Sequence, residues 1–261
     1  QRQMCIRDSL RTVNTQPALV AHGIAALIGA IDQGSLNQQP AFLAGHSLGE
    51  YAALIAAGAV SFEDGIRLVR ERGRLMQEAC DTQPGTMAAI LGLERDQVQR
   101  LCEQHGASLC NENAPGNVSI GGTVTAVELT SVAATDAGAS RVVPLKVAGA
   151  FHTPLMESAA EGMANVLRTV SFANPNIPIV SNVTAQPLVT RDQLSTELYE
   201  QITSPVIWVD SLRTMLSAGV NSFIEFGPGR VLSGTVGRTD RSSSVRNVAN
   251  AADARSADEE E

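Results

Sequence analysis

The chain has 261 residues, 44% of them hydrophobic, with 19 basic and 27 acidic side chains for a net charge of −8. That length can bury a large core as one or two domains. The acidic balance argues against general nucleic-acid binding, and no apolar run is long enough to span a bilayer. Five acids and one arginine fall between Asp253 and Glu261, a net −4, so half the acidity reads as a solvated, disordered tail. With no signal peptide visible, a cytoplasmic protein is expected. Four cysteines (Cys5, Cys80, Cys102, Cys110) form no C-x-x-C pair and have no histidine at ligand spacing. They read as reduced thiols, with no metal site. Lys146 is the only lysine, so arginine supplies nearly all the positive charge.

In chain order, Gln1–Ser9 shows no periodicity and abuts Leu10 without a turn signal, so it reads as foreign to the rest of the chain. Thr15 and Pro17 give the cap and first turn of a helix running to about Ile31. The organising stretch is Ala41–Gly58, AFLAGHSLGEYAALIAAG: a short apolar run, the turn Gly45-His46-Ser47-Leu48-Gly49, then an alanine-rich helix closing at Gly58. Strand, sharp turn and helix make G-x-S-x-G a nucleophile elbow, with Ser47 at the helix N-terminus and the Leu48 N–H aimed at an oxyanion. Gly45 and Gly49 are expected to remove Cβ atoms that would clash in the elbow.

Ser61 and Asp64 cap a helix through about Cys80. Arg67, Glu71, Arg74 and Glu78 form a solvated charged row, whereas Leu68, Arg72, Leu75 and Ala79 form an apolar row broken by one arginine. A guanidinium there either finds an anionic partner or snorkels outward, and the spacing leaves both open. From Thr86 to Val147 the pattern is β-α-β-β-α-β, a ferredoxin-like unit with Asn113-Ala114-Pro115-Gly116 as its central turn. His152 follows Gly149-Ala150-Phe151 and precedes Thr153-Pro154, which start an amphipathic helix. The field of that helix N-terminus is expected to keep the imidazole neutral, the form a general base requires. Beyond it come a strand at Ile177–Val183, a helix at Gln193–Gln201, another started by Pro205, and a buried strand at Ser222–Phe226. That strand ends in Gly227-Pro228-Gly229, a tight turn before the last helix.

Five segments in order, GHSLGE (Gly45–Glu50), RGRLMQ (Arg72–Gln77), NAPG (Asn113–Gly116), AFHTPLM (Ala150–Met156) and GPGRVLSG (Gly227–Gly234), resemble the malonyl-CoA:acyl-carrier-protein transacylase family. The resemblance covers about Thr15 to Gly237. It implies an α/β fold: a hydrolase-like large subdomain at 10–84 and 148–240, an inserted ferredoxin-like small subdomain at 85–147, and the disordered tail at 241–261. It further implies that Ser47 is the nucleophile, His152 the base and Leu48 an oxyanion donor. The Gln201 carbonyl would orient the histidine in place of a triad acid. Arg72 would pair with the malonyl carboxylate, Asn113 would line the pocket, and Phe151 would select malonyl over methylmalonyl groups. The substrates implied are malonyl-CoA and acyl carrier protein, with no cofactor, metal, nucleic acid or membrane. The family opens with a strand and a G-Q-G-S-Q loop that supplies a second oxyanion donor. Gln1–Ser9 stands in that place, so the chain is expected to be a fragment whose central sheet has an open edge or gap. Two other readings are a serine esterase or thioesterase passing the acyl group to water, and a non-catalytic fragment that binds acyl carrier protein.

Overall fold

The computed structural model describes residues 12–36 and 38–255. The Gln1–Ser9 stretch and the last residues of the acidic tail, 256–261, lie outside the described residues. Three helices come first among the described residues: α1 (Thr12–Asp32), α2 (Gly49–Ala56) and α3 (Phe62–Thr82). Helix α1 is already helical at Thr12 and encloses Pro17, where the capping chemistry predicts a start at Thr15. Proline removes one donor, but packing supports this turn from outside: a Cβ on Gly73 of α3 would sit 2.9 Å from Thr12 O. Helix α3 begins as predicted, with the Ser61 hydroxyl accepting from the Asp64 N–H at 3.0 Å. Its charged row is solvated, Arg74 pairing with Glu71 and Glu78.

Next come β1 (Thr86–Leu91), α4 (Arg95–His105), β2 (Ser108–Ala114), β3 (Asn117–Gly122), α5 (Val124–Asp136) and β4 (Arg141–Pro144). The strands form an antiparallel sheet in the order β2-β3-β1-β4, the ferredoxin-like arrangement. Ile90, Val98, Cys102, Val118, Ile120 and Val127 pack between this sheet and its helices. The β2–β3 turn is Pro115-Gly116, with Gly116 at φ 68°. Asn113 therefore lies inside β2 and not in the turn, because the strand continues two residues further than its composition indicates.

A 3-10 turn (Pro154–Met156) leads into α6 (Glu157–Leu167), followed by β5 (Ile179–Val180), β6 (Pro187–Leu188), α7 (Arg191–Glu200) and α8 (Trp208–Ser217). Strand β7 (Ser222–Phe226), helix α9 (Val231–Thr239) and strand β8 (Ser244–Val248) complete the order. The principal core joins α2, α3, α6 and α7 through Tyr51, Leu54, Leu68, Met76, Met163 and Leu198. Pro205 does not start α8. Instead the Val206 backbone pairs with β2, donating to Cys110 O at 2.8 Å and accepting from Glu112 N at 2.9 Å, which holds the segment extended.

The sheet under the elbow is in pieces among the described residues. The Ala41–Ala44 run forms a single parallel bridge, Leu43 to Ile179, and β7 pairs in parallel with β8 alone. No ladder joins the two, and Ile224 on β7 is 39% exposed, so the strand expected to be buried is half open. The tail expected from 241 onward is also corrected. Strand β8 and the buried Val248 and Ala254 belong to the fold, Ala254 packing near Ala30 of α1. Composition hid this, because Arg and Ser around Val245 and Val248 mask a short alternating strand. No described helix is long and apolar enough to cross a membrane.

Candidate active site

The elbow is built by close backbone approach. A Cβ on Gly45 would lie 2.0 Å from the Gly49 carbonyl carbon, so only glycine fits there. The motif predicts that Gly49 relieves the same crowding from its own side, but a Cβ there would meet nothing within 4 Å. Its backbone, not a missing side chain, is what Gly45 must clear. Ser47 stands at φ 51°, a left-handed conformation costing about 1–3 kcal/mol for a residue with a Cβ. The Asn182 side chain holds that conformation: its Oδ1 accepts from Ser47 N at 2.6 Å and its Nδ2 donates to Gly45 O at 2.8 Å.

His152, also at a positive φ of 61°, turns its ring toward the elbow. Its Nε2 lies 2.8 Å from Ser47 Oγ, and its Nδ1 lies 2.8 Å from the carbonyl oxygen of Gln201. A carbonyl only accepts, so Nδ1 carries the proton and Nε2 is left with its lone pair facing the serine hydroxyl. The imidazole is buried and its pKa is pushed down to about 3, first by desolvation and then by the nearby Arg72 cation. The ring is thus kept neutral, by burial and a neighbouring cation. His46, half-buried beside the elbow, is pushed down to about 4, again chiefly by desolvation.

Arg72 resolves the open choice on α3: it is 2% exposed and does not snorkel. Its Nη2 donates to Ser47 Oγ at 3.0 Å and to Gln201 Oε1 at 3.0 Å, and its Nη1 donates to Gln16 Oε1 at 2.8 Å. The guanidinium carbon sits 5.5 Å from the centroid of the buried Tyr51 ring, and Nε has no hydrogen-bond partner among the described residues. Every partner is neutral, so among the described residues this buried cation has no carboxylate in ion-pair contact. A fixed fork with a spare donor, beside a hydroxyl, is a receptor for a small anionic group.

The Leu48 N–H has no acceptor among the described residues and opens α2, where the helix dipole favours negative charge. Asn113 reaches the elbow from the small sheet: its Oδ1 is 2.9 Å from His46 Nε2. His46 in turn packs edge-on to Trp208 with centroids 5.7 Å apart. Phe151 is half-buried and adjoins His152 in the chain. The structure therefore brings Ser47, Leu48, Arg72, His152 and Gln201 together, with Asn113 tied to the residue before the serine.

The sequence reading missed Gln16, Asn182, Glu50 and the side chain of Gln201. Gln16 shares the buried face of α1 with Val20 and Ile24, the same polar-in-apolar signal that exposed Arg72. Asn182 and Glu50 had no such signal, since their roles arise from contacts more than 130 residues apart in the chain.

Residues 7–258 match the model of the acyl transferase domain family. The malonyl CoA-acyl carrier protein transacylase of Bacillus subtilis (strain 168) is 42% identical over 235 residues, covering 88% of this chain and 73% of that protein. The crystal structure of an acyl carrier protein S-malonyltransferase from Vibrio cholerae superposes with a TM-score of 0.90 at 38% identity, covering 95% of this chain and 82% of that one. A chain from the structure of a type II PKS acyl carrier protein in complex with its malonyl-transacylase superposes equally well, at 37% identity, TM-score 0.90, and 95% and 81% coverage.

Proposed function

We infer, from the premise that this chain belongs to the acyl transferase family, that it transfers a malonyl group from coenzyme A to the phosphopantetheine thiol of acyl carrier protein. The reaction is ping-pong through an ester on Ser47. His152 Nε2 takes the Ser47 proton as Oγ bonds to the thioester carbonyl carbon, and the Leu48 N–H stabilises the resulting oxyanion. The C–S bond then breaks, and coenzyme A leaves as a thiol with the proton from His152. In the second half the phosphopantetheine thiol gives its proton to His152 and its sulfur attacks the ester. Ser47 departs and recovers that proton. Gln201 O keeps the tautomer that both halves need, Arg72 holds the malonyl carboxylate, Asn113 lines the pocket and Phe151 limits bulk beside the α-carbon. The cycle draws on side chains and backbone alone and calls on no cofactor. It fits the cytoplasmic setting expected of a coenzyme A substrate, with 85–147 read as the small subdomain and 10–84 with 148–254 as the large one.

The observation that carries this reading is Arg72: a buried guanidinium with no acidic partner among the described residues, 3.0 Å from the candidate nucleophile. A desolvated cation so placed favours an acyl group that ends in a carboxylate. The test is the fate of the acyl-enzyme. With malonyl-CoA alone an ester should accumulate, and holo-acyl carrier protein should discharge it at least about a hundredfold faster than water does. Equal loss with and without the carrier protein would instead support the esterase reading.

A further inference from the structure

Beneath the elbow lies a pair of buried carboxyls that the transfer reaction does not use. Glu50 is 1% and Glu197 4% exposed, and both accept from the same donor, Asn182 N, at 3.0 and 2.9 Å. Glu197 spends its remaining capacity on the 181–183 loop, accepting from Val183 N at 3.1 Å and Ser181 Oγ at 2.6 Å. Glu50 differs in reaching the site. Its Oε1 also takes the Asn182 side-chain amide at 3.2 Å, and its Oε2 takes Nε2 of Gln201. Burial, and then the adjacent Glu197, push the Glu50 carboxyl well above the ordinary carboxylate range.

The consequence lies in which way the Gln201 amide faces. Its Nε2 donates to Glu50 Oε2 and, at 3.0 Å, to Ser47 O, while its Oε1 accepts from Arg72 Nη2 at 3.0 Å. The reverse orientation would set its carbonyl oxygen against Ser47 O and its NH2 group against a guanidinium, both repulsive, and would take from Glu50 Oε2 the donor it now has. Resting on the malonyl-transfer reading, we propose that Glu50 is a positioning residue for acyl-group selectivity, locking the Gln201 side chain so that Arg72 is aimed at the acyl carboxylate. Selectivity is distinguishable from the orientation of His152, because that ring is set by the Gln201 main-chain carbonyl and not by the side chain.

Glu50→Gln separates the two. At position 50 two N–H groups of Asn182 converge on the Oε1 site, and the Gln201 amide donates at the Oε2 site. The new amide therefore keeps its oxygen toward Asn182 and turns its NH2 toward Gln201. Two NH2 groups then face each other, so Gln201 loses its hold at position 50 and its Oε1 is no longer fixed against Arg72. Equal malonyl-CoA and acetyl-CoA are mixed with each protein, and the acyl group on Ser47 is read by mass, a ratio independent of the absolute rate. In E50Q the malonyl-over-acetyl ratio should fall about tenfold or more, the scale of a hydrogen bond to a charged group. Glu197→Gln, which loosens the same loop without touching Gln201, should slow both acylations alike and leave the ratio unchanged. Should E50Q not fold, Gln201→Met cuts the link from the other end and should lower the ratio likewise. A wild-type ratio in E50Q, or in Q201M where that variant stands in, or a fall in E197Q matching theirs, overturns the inference alone. No malonyl preference in the unmodified protein overturns the functional reading and this inference with it.

Discussion

His152→Ala is expected to slow formation of the acyl-enzyme about a hundred- to ten-thousand-fold while thioester binding changes little. The base role needs three conditions, and the geometry supports each. The nitrogen facing Ser47 Oγ at 2.8 Å carries the lone pair, because the other nitrogen donates to Gln201 O. The ring is neutral, because burial and Arg72 hold its pKa down to about 3. The ring is also fixed, because a histidine at φ 61° with both nitrogens engaged has little freedom. The lowered pKa sets the sign of the pH dependence. A histidine with the ordinary value would lose its base form on acidification through about pH 6.5, whereas one lowered this far keeps it, so the acylation rate should stay flat from about pH 8 to about pH 5. Rapid-quench acylation with labelled malonyl-CoA checks both, and an unchanged rate in the variant would refute the base role.

Arg72→Ala is expected to remove malonyl selectivity, and Arg72→Lys to restore little of it. The guanidinium now holds three neutral acceptors with its two terminal nitrogens, and its Nε is unspent. A malonyl carboxylate arriving beside Ser47 would replace weak neutral contacts with charge-assisted ones and compensate a cation that burial otherwise destabilises. Losing a buried charge pair of this kind costs roughly 3–5 kcal/mol, a factor of about a hundred to several thousand in preference. Lysine brings one point charge and cannot serve Gln16, Gln201 and a substrate oxygen together. Acetyl-CoA, with a methyl group where malonyl has its carboxylate, should acylate the alanine variant as well as before or better. If Arg72→Ala keeps the malonyl-over-acetyl preference, the carboxylate is recognised elsewhere.

How much of the molecule is legible from sequence depends on how local each signal is. Ser47 and Leu48 can be placed because glycine spacing, apolar run and helix are contiguous in Ala41–Gly58. Arg72 can be singled out because a helix face repeats every three to four residues, so one charge on an apolar row stands out. The small antiparallel sheet is readable for the same reason, each strand and helix being bounded by its own turn residues. The large subdomain is less so. Parallel pairing such as β7 with β8 or Leu43 with Ile179 joins segments far apart in sequence, and each strand alone is only two to five residues long. Asn113 reads as a turn residue because Pro115-Gly116 dominates the local chemistry, although its partner is His46 across the subdomain boundary. The polar scaffold that aims the site, Gln16, Glu50, Asn182 and the Gln201 side chain, exists only as cross-chain hydrogen bonds. Of these, Gln16 alone leaves a helical trace in the sequence.

The central claim is that Ser47 Oγ becomes a malonyl ester, and peptide mapping after brief exposure to labelled malonyl-CoA tests it most directly. A single label on the peptide containing Ser47, absent in Ser47→Ala, is the predicted result. Label on another residue, label surviving that substitution, or no covalent label on the folded protein would contradict the account.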